Sequence, residues 1–502
     1  MIRVFDQLDS AGLITDKPIP KLPPAAWTDA RNVRFENGGV EKFLGHSTYF
    51  SSSNAAEINY VLPFRVQYSN GILYHSGDKI YLYDGSTHTN VTPPGDFIFN
   101  NVTGTTHAFL PGGVIVLNNE IDAPIYTVAD TPISSTPVFQ TLPAWPSGLL
   151  PRYLRSHKNF LFALSNTLSG NVYAEQIRWS NRADPGSPPT SWDYTDTTQP
   201  TGLTTLPFEG FIMDAVELRD SLIIYQENNI YQLSEVGGAT VFAIRRLFQN
   251  AGAFNARCVV TLNQGHVVLG TNDVFYHDGT QINSIADRRV RDQIFSELID
   301  QYNPYVCKNV NRNEIWFCLT NMTDGSLGAN IAWVWNWIED RWTKREIPNS
   351  YFAEIGDIGT GLASPKNSTR LLLAGRTDKK VFLMDDTNAF AGTSMTSYVE
   401  RRALPLGEGG QFDQRRMKFV REITPQITGT AGGVVNIYVG HRDTIDGTRT
   451  WEGPFPYTIG TTRKVDCRVS GRVIDIKFES TTDIEWLLTE YGVNYRLADA
   501  RR

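Results

Sequence analysis

The stretches ILYHSGDKIYLYDG (72–85) and HVVLGTNDVFYHDG (266–279) decide the fold, because both write one unit: an apolar strand, a tight turn, and a second strand closing on a ring residue, Asp and Gly. The turns fall at Ser76-Gly77-Asp78 and at Asn272-Asp273, and apolar runs flanking such residues make a β-hairpin. Looser copies stand at 221–233 (SLIIYQENNIYQL) and 371–384 (LLLAGRTDKKVFLM), with further strand pairs near 107–128, 159–179 and 314–337. Successive units begin roughly 40 to 60 residues apart, in the range of propeller blades. One hairpin cannot bury its apolar face alone, whereas several set radially share a core and leave only short edges. The chain is therefore read as all-β, with a β-propeller of six or seven blades over residues 61–400.

Residues 1–60 follow a different grammar. KPIPKLPP (17–24) must be extended, since proline fixes φ and pushes the preceding residue out of the helical region. ARNVRFENGGVEKFL (30–44) then gives two short strands about Glu36-Asn37-Gly38-Gly39, so this part reads as an extended N-terminal arm with a hairpin. From residue 401 the strands lengthen, at 417–427, 434–440, 464–469, 473–480 and 485–493, and residues 401–502 read as a β-sandwich-like domain. Within it Val473, Asp475, Lys477 alternate with Ile474, Ile476, Phe478, which predicts a strand with one face in solvent. One stretch has helical spacing, 287–300 (DRRVRDQIFSELID), through Val290, Ile294 and Leu298, with Asp287 as the expected N-cap. The long loop 181–210 is a place for a moving gate, because function concentrates on loops held by rigid scaffolds.

Bulk properties narrow the function. The chain has 502 residues, a net charge of −7 and 41% hydrophobic content, so it can bury large cores and lacks the basic balance that non-specific phosphate binding requires. Its arginine clusters, Arg288-Arg289, Arg291, Arg401-Arg402 and Arg415-Arg416, each sit beside acids and read as salt-bridged surface. Cys258, Cys307, Cys318 and Cys467 are spread singly, against a disulfide scaffold or zinc site, and suit a chain folding in a reducing cytoplasm. The eight histidines never fall at metal-ligand spacing, and His75 and His277 recur at equivalent hairpins, as structural residues would. No G-x-S-x-G, H-E-x-x-H, Walker or dinucleotide motif is present. TIDGTRTW (444–451) partly resembles the Asp-box turn of sialidase propellers, but Asp446 and Gly447 are adjacent where that pattern separates them, and the box is a structural hairpin. Trp333, Trp335 and Trp337 alternate on one strand face; they are expected to be packing residues, or alternatively a platform for sugar rings.

Three segments resemble the tail nozzle family of short-tailed bacteriophages, related to tail tubular protein B and packaged-DNA stabilisation proteins. They are Gly12–Gly45, with Leu22-Pro23-Pro24, Trp27 and ARNVRFENGGVEKFLG; Gly252–Leu298; and Ile423–Arg472, with Pro425, Tyr438-Val439-Gly440, Trp451 and CRVSGR (467–472). The resemblance implies a virion structural protein, made in the host cytoplasm, that assembles as a hexameric ring below the portal and adaptor, retains packaged DNA and conducts it at ejection. Its implied partners are further copies of itself, adaptor-side tail proteins, tail fibres, and duplex DNA passing without sequence-specific binding; no membrane insertion, catalytic residue, metal or cofactor is expected. Leu13, Leu22 and Trp27 are the candidate inter-subunit arm residues, since a proline-rich strap has little core of its own to bury. The alternative is a carbohydrate-binding or glycan-cleaving propeller at the host surface.

Overall fold

The computed structural model describes residues 1–65, 70–100, 104–129, 139–238, 240–298, 304–320, 328–357 and 369–498. In it the two quoted hairpins are the middle strands of two four-stranded antiparallel blades. The closing Asp-Gly has a specific task at each. Asp84 Oδ1 accepts the N–H groups of Ser86 (2.9 Å) and Thr87 (2.8 Å), and Asp278 Oδ1 accepts those of Thr280 (2.8 Å) and Gln281 (3.0 Å). Gly85 and Gly279 follow at φ +102° and +88°, which an L side chain rarely adopts. Bonds to the ionised form, chiefly from Thr87 and Thr280, hold both carboxyls well below the usual carboxylate range.

The protein is a β-propeller. Among the described residues seven blades follow in chain order, at 58–90, 106–141, 149–205, 212–249, 259–284, 305–349 and 350–384. Blades six and seven form one continuous sheet because the Arg341–Asp357 strand serves both: its first part pairs with Ala329–Asn336, and after an irregularity between Ser350 and Phe352 its second part pairs with Thr369–Gly375. Blade seven is completed by His46–Ser51, from the other end of the chain, paired with Lys380–Met384. Hydrophobic clusters lie between neighbouring blades. One joins Tyr153, Phe162 and Ile177 of blade three to Ile224, Tyr231 and Phe242 of blade four, so each blade buries one face against the next.

Between blades four and five a polar relay is buried. Gly279 N–H points to His277 Nδ1 (3.3 Å), and Tyr225 Oη lies 2.6 Å from both His277 Nε2 and His266 Nδ1. His266 Nε2 reaches the Glu217 carbonyl (2.9 Å). One arrangement satisfies every atom: His277 donates to Tyr225, Tyr225 donates to His266, and His266 donates to the carbonyl, with both imidazoles neutral. Burial keeps them so, pushing His277 down to about 3 and lowering His266 as well. Tyr225→Phe is expected to strand two ring nitrogens and to cost about 2–3 kcal/mol in denaturant unfolding; a change under about 0.5 kcal/mol would dissolve the relay.

The second body is a two-sheet sandwich drawn from both chain ends. One sheet runs Val33–Glu36, Gly39–Lys42, Trp486–Leu497, Lys418–Gly429, Val465–Gly471, with Ile2–Phe5 also on Trp486–Leu497; the other runs Asp29–Arg31, Ser397–Arg401, Val473–Ser480, Val434–Arg442, Thr450–Thr458. The division into arm, propeller and C-terminal domain is thus not a division into separate bodies. The N-terminal segment is extended, but its strands at 2–5, 29–31, 33–36 and 39–42 are hydrogen-bonded into the same sheets as 397–497, and 46–51 belong to the propeller.

Two local expectations are corrected. The helix spans Arg291–Glu297, not 287–300, of which 299–300 lie outside the described residues. Asp287 is no cap: it pairs with Arg291 (2.9 Å), while Asp16, far away in sequence, accepts the Asp292 N–H (2.9 Å). On Val473–Ser480, Asp475 does not face solvent. It is fully buried, accepting the Ala403 N–H (2.6 Å) and pairing with Arg442 (3.3 Å), because the turn after Ser397–Arg401 covers that face.

Candidate functional site

Inner strands from six blades converge on the propeller axis, and those of blades three, four, six and seven carry charged residues to it. The result is a cavity of about 460 Å³, within the usual range of ligand pockets, lined by Arg155, Asp214, Lys308 and Glu354 among apolar residues. Most of its charged groups have a polar partner. Arg155 binds Asp214 through Nε (2.8 Å) and Nη2 (2.7 Å), the Lys308 ammonium donates to the Thr261 carbonyl (2.8 Å), and Arg257 donates to the Tyr351 carbonyl (3.1 Å). Glu217, on the wall, holds His157 Nδ1 at 2.7 Å, and His107 meets the Tyr60 hydroxyl at 2.5 Å.

Glu354 is the exception. Among the described residues its carboxylate has one hydrogen-bond partner, the adjacent Ile355 N–H at 3.2 Å. Burial pushes it up to about 7, against smaller opposing effects from that N–H and from Lys308. A carboxyl raised on folding contributes stability that is fully present below its unfolded pKa of about 4.3 and is lost as pH rises through about 7. Glu354→Gln is therefore expected to be more stable than the parent at pH 8, by about 1–3 kcal/mol, with the advantage fading toward pH 4. Parallel stability–pH curves for the two proteins would contradict this.

A second charged constellation locks the propeller to the sandwich. Arg34, on the N-terminal hairpin, binds Glu314 of blade six through Nε (2.6 Å) and Nη2 (3.3 Å), and its Nη2 also reaches Asp385 (2.7 Å) at the end of blade seven. Arg345 binds Asp385 Oδ1 (2.9 Å), and its guanidinium lies over the rings of Phe43 (4.6 Å) and Trp316 (4.4 Å). Arg34 is 4% exposed and Arg345 0%, so two cations and two anions neutralise each other out of water.

The three candidate arm residues are used within their own chain. Leu13 (2% exposed) and Trp27 (2%) enter the core shared by sandwich and blades, and Leu22 (9%) packs with Ile14 and Ala26. The Trp27 indole donates to the Leu8 carbonyl (2.8 Å), and Leu13 N–H to the Trp342 carbonyl (3.0 Å). Their side chains pack within their own chain, with Leu13 and Leu22 also on the wall of a pocket beside Trp333 and Tyr398. Trp333 and Trp335 are likewise core residues, their indoles given to Glu297 (2.9 Å) and Asp340 (3.0 Å), so a sugar platform on them is not exposed. The 181–210 loop is anchored by buried Trp192, which meets Trp145 edge-on and whose carbonyl accepts the Arg178 guanidinium. All four thiols are buried, and burial pushes Cys258 and Cys467 up to about 12. Among the described residues no trio of His, Cys, Asp or Glu is placed to hold a metal, and no helix is long and apolar enough to cross a membrane.

No family model and no curated protein matches this chain. Among solved structures it is similar to YCF48 from Cyanidioschyzon merolae (8% identity, TM-score 0.39, covering 68% of this chain and 98% of that one) and to the AfRom2 CNH domain (9%, 0.38, 68% and 97%). It is also similar to an exo-β-1,3-galactanase from Phanerochaete chrysosporium (8%, TM-score 0.29, 90% and 100%). Likeness at these values says nothing of what this chain binds or does.

Proposed function

We propose that the chain is a structural subunit of a phage tail nozzle, forming a ring below the portal and adaptor that retains packaged DNA and conducts it outward. What carries the reading is the convergence of the three nozzle-like segments. Thr15 and Asp16 of the first donate to the Arg289 carbonyl of the second (2.7 and 3.0 Å), and Asp16 receives the Asp292 N–H. Leu13, Trp27 and Val33 of the first share one buried cluster with Ala286 and Ile294 of the second and Val439, Cys467 and Val469 of the third. Segments separated by hundreds of residues thus build one seam, and a family signature at such a seam preserves how sandwich and propeller are held together.

In this reading DNA does not pass along the propeller axis, where the inner strands leave a pocket of about 460 Å³; the lumen lies between subunits, and the acidic net charge of −7 keeps the polymer from adhering. Electron-microscope class averages of the purified protein, alone and mixed with neighbouring tail proteins, are expected to contain sixfold rings with a centre open to a duplex. Isolated single subunits in both samples would overturn it.

A further inference from the structure

The axial cavity has chemistry that the nozzle reading does not use. A propeller needs its axis filled only well enough to keep blades apart, and apolar side chains would serve. Here five of the inner strands that line the cavity contribute a titratable or charged side chain: His107, Arg155, Asp214 with Glu217, Lys308 and Glu354. Of these, His107 is satisfied by Tyr60, Arg155 by Asp214, Glu217 by His157, and Lys308 by a carbonyl, as is Arg257, a further cation on the wall; Lys308 also acts on Glu354 through space. One carboxyl remains with a single backbone partner, ionised above about pH 7, beside the apolar lining of Phe109, Val260, Val306 and Ile355.

We propose that this cavity binds a small primary alkylammonium, its charged end on the Glu354 carboxylate and its stem along the apolar wall. An ammonium supplies the donors that the carboxylate lacks, in a site where desolvation makes a charge-assisted bond worth more than in water. Burial of the stem adds affinity in proportion to its apolar area, so the ligand must be amphipathic and not a bare cation. The inference concerns the propeller alone and stands whether or not the chain forms a ring.

The test is titration calorimetry of the full-length protein at pH 8, where Glu354 is ionised, with n-pentylammonium chloride, against 1-pentanol and sodium chloride as probes of stem and charge separately. Saturable binding of pentylammonium with a Kd of about 1 mM is expected, a weak affinity suited to one ion pair and a short stem. In Glu354→Gln, which keeps the shape of the side chain, binding should weaken at least about ten-fold, the factor carried by roughly one charge-assisted bond. Thermal unfolding checks that both proteins are folded, and the amine should raise the midpoint of the parent only. Three results would overturn the proposal: no saturable binding by the parent, equal binding by pentanol, or undiminished binding by folded Glu354→Gln.

Discussion

Asp385→Ala is expected to destabilise the protein by about 3–5 kcal/mol, the loss typical of breaking a buried ion pair from one side. The carboxylate it removes is the common partner of Arg34 and Arg345, and also receives the Asn309 amide at 2.9 Å. Arg34 keeps Glu314, but Arg345 keeps only carbonyl contacts and two aromatic faces, so a fully buried cation is left without an anion. The pH dependence follows the same sign. The two guanidiniums outweigh the burial of Asp385 and hold its carboxyl below the usual range, so its contribution is present above about pH 4 and is lost as acid drives the pH below that. Urea unfolding at pH 7 and pH 3 should show a large gap between parent and variant that narrows in acid. A gap below about 1 kcal/mol at pH 7 would mean that water or rearrangement replaces the lost carboxylate.

Deleting residues 1–26 is expected to have a larger and more selective effect. The deletion removes Phe5, Leu8, Leu13 and Leu22, all buried, together with the strand paired to Trp486–Leu497. Area bookkeeping sets an upper estimate of about 6–12 kcal/mol for those four side chains. It also uncovers Tyr491, which Phe5 stacks against at 4.8 Å, and removes the Leu8 carbonyl that the Trp27 indole donates to. The clasp strand at His46–Ser51 is retained, so the propeller should still close. Hydrogen exchange should therefore show lost protection across 418–497 with protection kept in blades one to five. Full protection of 418–497 in the truncated protein would show that the strap adds little to the sandwich.

Hairpin architecture was legible because it is written locally: two-residue alternation about a turn needs no knowledge of the rest of the chain. The clasp was not, since His46–Ser51 reads as any short polar strand and its partner lies more than three hundred residues away. The Thr450–Thr458 strand escaped because Gly453, Pro454 and Pro456 interrupt its pattern, which an edge strand tolerates. Asp475 was misplaced because alternation marks two faces without saying that both are covered. The axial residues were illegible for a different reason. Glu354, Arg155 and Asp214 stand on strands of three blades, Arg155 with Arg152 and Asp214 with Glu217 on the same strand, and only closure of the ring brings them to one cavity. The detectable signal is a charged position inside an otherwise apolar inner strand of some blades, which gains meaning once the blade register is known.

Because the first strands of the chain complete both bodies, the ribosome must finish nearly the whole polypeptide before either body can be sealed. The amino group of Met1 donates to the Tyr495 carbonyl at 2.9 Å, 494 positions away, and blade seven waits for residues 369–384. Until then the nascent chain carries unpaired strand edges and apolar blade faces, a state prone to aggregation and slow to resolve through distant contacts. The same proximity of the ends offers a remedy. A circular permutant joining the termini through a short flexible linker and opening at an exposed blade turn would place the clasp and its partner close in synthesis, and should fold faster with the same final architecture.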